Sequence, residues 1–336
     1  MTILVTGGCG YIGSHIVHAL HDAGEKIVII DDLSTGFRML PPLHIPIVVQ
    51  SIGKKKVLQD VFERFNPDIV IHCAGSLIVE ESVKNPSMYW NNNVVNTSAL
   101  IDIMLYNSVK NIVFASSAAV YGTPTGVIHE NIPCDPVSPY GRTKLTAEQM
   151  IRDATLAYGI NHVILRFFNV AGADPQMRTG ESHANTTHLV KVAAQAVLGL
   201  RDNMDIYGCD YPTKDGTCVR DYIHPSDLAQ INLLACQYLR NNEVPTTLNV
   251  GYGHGYSNLE VVAAMKSAAN HTTNLYKYNS RRAGDPPSLV ADTRKLFRTL
   301  QYIPKHDNID EICRTALEWE RKLNFTYGKN GWPAIG

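Results

Sequence analysis

Tyr140 and Lys144 lie four residues apart in Ser138-Pro139-Tyr140-Gly141-Arg142-Thr143-Lys144, a spacing that brings two side chains onto one face of a helix. Ser138 at an N-cap and Pro139 at the first helical position predict where that helix begins. A free tyrosine titrates near pH 10, so only about 0.1% is phenolate at neutral pH. A neighbouring ammonium group and a cationic nicotinamide would both favour the charged form. Such a tyrosine can take the proton of a sugar hydroxyl as hydride leaves the same carbon. Alone, Tyr-x-x-x-Lys also fits an ordinary surface helix, and its position in the chain is what argues for chemistry. Just upstream, Phe114-Ala115-Ser116-Ser117-Ala118-Ala119-Val120-Tyr121-Gly122 reads as a strand running out into small residues. The carboxyl ends of parallel strands are where open α/β sheets bind ligands, so Ser117 is expected at a cleft, free to bond a substrate oxygen.

The first strand-like run, Ile3 to Thr6, leads into Gly7-Gly8-Cys9-Gly10-Tyr11-Ile12-Gly13, a G-x-x-G-x-x-G turn opening a helix. Glycine serves where the backbone takes positive φ, where it approaches a pyrophosphate and where helix packs closely on strand. The helix N-terminus then faces the phosphates. The next run, Ile27 to Ile30, ends at Asp31-Asp32, 18 residues beyond Gly13, near the spacing of about 20 at which an acid meets the adenosine ribose. A carboxylate there favours the 2′,3′-diol of NAD over the 2′-phosphate of NADP. A cap on the following turn would explain Asp31 but not the glycines.

These groups need a scaffold, and the first half supplies its pattern. Further β-branched runs occur at Ile45 to Val49, Ile69 to His72, Ile112 to Ser116 and Val163 to Phe167, separated by helix-length segments. That rhythm predicts an α/β fold, a doubly wound parallel sheet binding NAD (a Rossmann domain) over residues 1–172. Residues 173–336 are expected to form a smaller, mixed α/β substrate domain, with a segment of about 220–251 returning to the first. Thr247 to Gly253 reads as the last clear strand. The chain has 336 residues, 45% apolar and 18% charged, with 24 Gly and 17 Pro, which excludes disordered and repeat classes. Thirty Lys plus Arg against 31 Asp plus Glu leave a net charge of −1, giving no support to nucleic acid or an anionic membrane as partner. No apolar run reaches the ~18 residues of a membrane span, and Met1 passes into a strand rather than a leader, so a cytoplasmic protein is expected. The seven scattered cysteines contain no C-x-x-C pair and read as reduced thiols in or near the core. No metal site is expected among the 13 histidines, which should be satisfied or exposed.

Taken in order, these motifs resemble the extended short-chain dehydrogenase/reductase family, and within it the UDP-glucose (UDP-galactose) 4-epimerases. The likeness rests on VTGGCGYIGSH, HCAGSLIVEESV, YWNNNVVNT, SSAAVYG, SPYGRTK and LRFFNVAGA, and most specifically on DYPTKDGTCVRDYIH (Asp210 to His224) and RRAGDPPSLVAD (Arg281 to Asp292). It implies reversible C4 epimerisation of UDP-glucose and UDP-galactose through a 4-keto sugar and a retained NAD. It further implies that Ser117, Tyr140 and Lys144 are catalytic, with Tyr140 the base and Lys144 on the cofactor ribose. NAD positions would be Gly7, Gly10, Tyr11, Ile12, Gly13, Asp31, Asp32, Ser51, Ile52, Cys73, Ala74, Asn92 and Phe168, with Tyr140 and Lys144. UDP-sugar positions would be Asn169, His188, Leu189, Tyr207, Arg220, Arg282, Asp285 and Leu289, with Ser117 and Tyr140. Arginines suit a diphosphate and an aromatic suits uracil; as ordinary surface charges, Arg220 and Arg282 would instead pair with Asp221 and Asp285. A homodimer is what the resemblance suggests. Three positions depart from many relatives: Ser51 replaces an adenine-contacting Asp, His188 an Asn, and Leu289 stands where size admits or excludes an N-acetyl group. Other UDP-sugars (N-acetylhexosamine, glucuronate, pentose) therefore stay open as substrates. A dehydratase is disfavoured by Ala118 and Ala119 after Ser117, and a non-catalytic NAD sensor by the presence of both Tyr140 and Lys144.

Overall fold

A computed structural model describes residues 1–183, 186–241, 244–282 and 284–328. Its strands in chain order begin with β1 (Thr2–Thr6), β2 (Lys26–Asp31), β3 (Ile47–Val49), β4 (Ile69–His72), β5 (Asn111–Ser117), β6 (Val127–Ile128) and β7 (Asn161–Phe167). They continue with β8 (Asn169–Val170), β9 (Met204–Tyr207), β10 (Val219–Arg220), β11 (Tyr222–Ile223), β12 (Thr246–Val250), β13 (Tyr256–Ser257), β14 (Tyr276–Asn279) and β15 (Ser288–Ala291). Among the described residues, seven strands form one wholly parallel sheet in the order β12-β7-β5-β4-β1-β2-β3.

The β-branched runs form this sheet because both of its faces are covered, which is the condition a parallel sheet needs. Alternate side chains of each strand feed opposite layers. Ile3, Val5, Ile29, Ile71 and Val113 pack with Ile16 and Leu20 of the helix Tyr11–Asp22 and with Leu228 and Ile231 of Pro225–Arg240. Leu4, Val28, Ile30, Val70 and Phe114 pack instead on Leu58, Leu100 and Ile151, from the helices Lys55–Phe65, Asn96–Tyr106 and Pro139–Tyr158. After β1 the chain builds outward through β2 and β3, then returns to the other side of β1 as β4. The reversal opens a crevice at the carboxyl ends of β1 and β4, the place where such sheets bind ligands.

Beyond residue 173 the helices Leu189–Val197, Asn258–Ala269 and Ile309–Tyr327 pack on one another. The strand expected from Thr247 forms as β12, which joins the edge of the large sheet beside β7 ahead of the helix Asn258–Ala269; the short β13, β14 and β15 follow it. Those late strands escape a reading by periodicity because they are short and lack a buried run; most of β14, Tyr-Lys-Tyr-Asn, is exposed. β15 pairs with β10 and with β6, which ties the later half of the chain to the loop after Ser117. No helix among the described residues is long and apolar enough to cross a membrane.

Candidate active site

One cavity of about 1330 Å3 occupies the crevice, and every candidate cofactor and sugar-nucleotide residue named above lines it. Its floor is the glycine turn. Gly7 has φ +70, and a Cβ there would lie 2.7 Å from the Ala74 amide nitrogen, so the β1 and β4 ends approach as only glycine allows. A Cβ on Gly13 would stand 2.1 Å from the Gly7 carbonyl oxygen. Gly10 caps the helix Tyr11–Asp22 without a side-chain acceptor, leaving first-turn N–H groups for an anion. The cradle fits a dinucleotide pyrophosphate. Gly13→Ala should lower NAD affinity by at least about 100-fold and cost ~1–3 kcal/mol, since only backbone can yield to the new methyl; fluorescence titration and urea unfolding check both.

Asp31 is buried, and its two oxygens accept the amides of Cys9 and Leu33, each at 2.8 Å. Burial raises its pKa, opposed by those two bonds. It therefore caps the following turn and orders the glycine turn at once. A carboxylate has about four acceptor positions, so a ribose diol can still bind. Asp32 accepts from the Ser34 amide at 3.0 Å, and the Ser51 hydroxyl accepts from the Gly53 amide at 3.2 Å next to buried Ile52.

Pro139–Tyr158 begins as expected, with the Ser138 hydroxyl accepting from the Gly141 amide at 3.1 Å. Lys144 is buried, and its Nζ donates to the Ala115 carbonyl at 2.8 Å, 5.1 Å from the Phe114 ring centroid. Burial lowers its pKa to about 8. In the protein alone burial raises the Tyr140 pKa and Ser117 opposes the rise; the lowering expected from a cationic nicotinamide belongs to the cofactor-bound form. Ser117 ends β5, and its Oγ accepts from the Ala119 amide at 3.2 Å.

Apart from Asn92, already a candidate cofactor contact, sequence reasoning missed the support around these groups. Tyr89 is fully buried, edge-on to Tyr140 at 6.4 Å, and its hydroxyl lies 2.6 Å from the Ile78 carbonyl and 2.8 Å from Glu81 Oε2. Asn93 accepts from the Ser76 amide at 2.8 Å and donates to the Ser76 carbonyl and to Thr143 Oγ1, both at 3.0 Å. Asn92 donates to Ser76 Oγ at 3.0 Å. Both asparagines sit in a single π-turn, Asn91–Val95, between two α-helices, a distortion common at functional sites. Three consecutive asparagines, poor helix formers, were the available signal.

On the opposite wall each of the two arginines has a carboxylate partner. Arg220 meets Asp285 at 3.3 Å and donates to the Val219 and Pro286 carbonyls. Asp221 is fully buried and accepts the amides of Tyr252, Gly253 and Ala291; burial raises its pKa to about 6. Arg282 pairs with Glu80 across the cavity at 3.2 Å and lies 3.9 Å above the Tyr207 ring. His188 meets Glu181 at 2.9 Å, and that carboxylate raises the His188 pKa. Asn169 opens β8, and Leu189 opens the helix Leu189–Val197. Leu289 pairs in register with Arg220 and packs against the cluster of Ala118 and Phe168, close to Ser117. Cys73 and Ala74 follow β4 directly.

Two smaller expectations need correction. Cys209 is exposed, not in or near the core, although all seven cysteines are free. His15 is buried with no hydrogen-bond partner for its Nε2 among the described residues. Among those residues no group of three or more His, Cys, Asp or Glu side chains is placed to hold a metal.

Comparison with known proteins agrees with this geometry. The sequence profile of the NAD dependent epimerase/dehydratase family matches residues 3–251. A UDP-glucose 4-epimerase of Azospirillum brasilense is 48% identical over 332 residues, covering 98% of this chain and 95% of the relative. The crystal structure of UDP-glucose 4-epimerase from Brucella ovis in complex with NAD is similar with a TM-score of 0.91 and 39% identity, over 94% of this chain and 97% of that one. The UDP-Glc/GlcNAc 4-epimerase of Campylobacter jejuni is similar with a TM-score of 0.83 and 41% identity, over 96% and 99%. A glycine cradle at the sheet's switch point, a Ser-Tyr-Lys group beside it and a match of this extent have one meaning: the chain belongs to the NAD dependent epimerase/dehydratase family.

Proposed function

We propose that this enzyme interconverts UDP-glucose and UDP-galactose by epimerisation at C4, with NAD retained throughout. One observation carries the reading: Ser117, Tyr140 and Lys144 share a single cavity with the glycine turn and with Arg220 and Arg282. Bound in that cradle, NAD would supply a hydride acceptor and donor for C4 of the sugar. Tyr140 takes the O4 proton, and Ser117, which lines the same cavity, relays or steadies that proton. Lys144 would hold the cofactor ribose. Asp31 would take the adenosine diol, Ser51 and Ile52 would serve the adenine, and Cys73, Ala74, Asn92 and Phe168 would hold the rest of the cofactor.

Arg220 and Arg282 take the diphosphate, Tyr207 the uracil and Asp285 a ribose hydroxyl, with Asn169, His188 and Leu189 beside them. Anchoring UDP uses binding energy far from the reacting carbon to contain the keto sugar while its hexose turns. Residues 1–172, with the returning stretch of about 220–251, would bind NAD, and 173–336 the UDP-sugar; 329–336 lie outside the described residues. A homodimer fits the exposed Trp90, Val95 and Tyr106 along the helical stretch after β4, and unpaired cysteines fit a cytoplasmic setting.

The test is to incubate purified protein with UDP-galactose, first without added cofactor and then with NAD. UDP-glucose in the first tube is the expected product. No conversion in either tube would overturn the reading. The same assay on UDP-N-acetylglucosamine reports how much room Leu289 leaves beside the sugar.

A further inference from the structure

We propose that Glu148 is a positioning residue for the reaction, acting with Arg166 through the hydroxyl of Ser116 to hold Ser117 and the Tyr140/Lys144 helix in one register. The proposal rests on the reading of the site given above. Lys144, Glu148 and Arg152 fall at successive i, i+4 positions on Pro139–Tyr158 and form one stripe. Two of them reach consecutive residues of β5: Lys144 Nζ the Ala115 carbonyl at 2.8 Å, and Glu148 Oε1 the Ser116 hydroxyl at 2.5 Å. The next residue along β5 is Ser117.

The far side of Ser117 is fixed by the same pair. Glu148 is fully buried and receives Arg166 Nε at 2.9 Å, Arg166 Nη2 at 2.7 Å and Arg152 Nη2 at 2.8 Å. Arg166 stands on β7 in register with Ser116. Its Nη1 donates to the Tyr121 hydroxyl at 2.8 Å, and that hydroxyl donates to Asn249 Oδ1 on β12 at 2.7 Å. Tyr121 closes the 3-10 turn that Ser117 opens. Ser117 is thus bracketed by Ser116 and Tyr121, and both are tied to one carboxylate–guanidinium pair. Burial works against an ionised Glu148, yet Arg166, Ser116 and Arg152 together hold its pKa below the usual range.

A buried ion pair is weak evidence for stability, because well-packed apolar residues of the same size often serve as well or better. What this pair supplies is direction: a forked guanidinium and a carboxylate admit one arrangement of helix, strand end and turn. Displacing a reacting group by about 1 Å can cost ~100-fold in rate. Glu148 touches neither the sugar nor the dinucleotide in this assignment, so its loss should appear in kcat and spare binding.

Ser116→Ala removes the hydroxyl link while leaving the ion pair intact, and so avoids stranding a buried charge. We expect kcat on UDP-galactose to fall about tenfold, with KM and NAD affinity within about twofold and recovery in Ser116→Thr. Glu148→Gln should fall further in kcat; should it fail to fold, Ser116→Ala decides alone. Amide hydrogen exchange, read without turnover, should quicken over residues 116–122 in Ser116→Ala and stay unchanged in β1 and β4. Wild-type kcat and unchanged exchange in Ser116→Ala would overturn the proposal. An inactive wild-type chain would instead sink the epimerase reading, and the exchange result would still judge the positioning role.

Discussion

Tyr140→Phe is expected to lower kcat for UDP-galactose by about 10^2 to 10^4-fold, the usual contribution of a positioned acid or base, with NAD and UDP still bound. The substitution removes one hydroxyl. Ring packing against Tyr89 survives, because that contact is edge to face at 6.4 Å and needs no oxygen. Ser117 keeps the Ala119 amide as a partner, so no donor or acceptor is stranded beyond water's reach in the open cavity. Burial raises the Tyr140 pKa in the protein alone, and a cationic nicotinamide bound beside it would oppose that rise. The protein alone should therefore show an ordinary or elevated tyrosine titration, and the NAD-loaded protein a lower one. Ultraviolet difference titration of the two forms, with Tyr140→Phe as the blank, measures this directly. Near-normal turnover in Tyr140→Phe would remove the tyrosine from the mechanism.

How much of this was legible in the sequence follows from the range of each interaction. Tyr140 with Lys144, Ser138 as a cap and the glycine turn are decided within a few residues, by helix and turn geometry, and all three stand where the pattern put them. The sheet was equally legible, since a strand buried on both faces must be written as an apolar run. What the sequence left open was long-range. Asp221 follows Arg220 directly, yet it serves three buried amides while Arg220 turns to Asp285. Arg282 pairs with Glu80 from the other side of the cavity. Asp221 lies between β10 and β11, and Arg282 and Asp285 lie between β14 and β15, so their partners are set by how the strands assemble rather than by adjacency in sequence.

The local support of the site was illegible for a different reason. Asn93 faces Ser76 only because the helix widens into a π-turn at Asn91–Val95, and a 3.6-residue period does not report such a turn. The Glu148–Arg166 pair reads as two unrelated charges, one in a helical stretch and one in an apolar strand, until the β5–β7 register brings Arg166 beside Ser116. Asp31 was read with two rival roles, ribose acceptor or turn cap. The structure gives it the cap and a second amide while leaving acceptor capacity for the diol.

Lys144→Met should abolish most turnover and at the same time make the protein more stable at pH 7. The lysine is buried, and burial lowers its pKa from 10.5 to about 8. Below pH 8 the ammonium is charged in both folded and unfolded chains, and the shift is a full penalty on the fold, on the order of 3 kcal/mol at 1.36 kcal/mol per unit. Methionine has similar length and no charge to desolvate. It leaves the Ala115 carbonyl without its donor, at a cost of about 1–2 kcal/mol, so a net gain of ~1–2 kcal/mol remains. The sign with pH is fixed by linkage. Between pH 8 and 10.5 the unfolded chain holds the proton and the folded chain does not, so wild-type stability from this group rises with pH and the variant's advantage shrinks. Urea unfolding of both proteins at pH 7 and pH 9.5 measures the gap. A variant that is less stable at pH 7, or a gap that widens at high pH, would mean that the Lys144 ammonium is held by attraction rather than against its own desolvation. The expected outcome explains why a charge is kept in so unfavourable a place: an ammonium costly to the empty fold is one that a bound ribose and a forming phenolate can use.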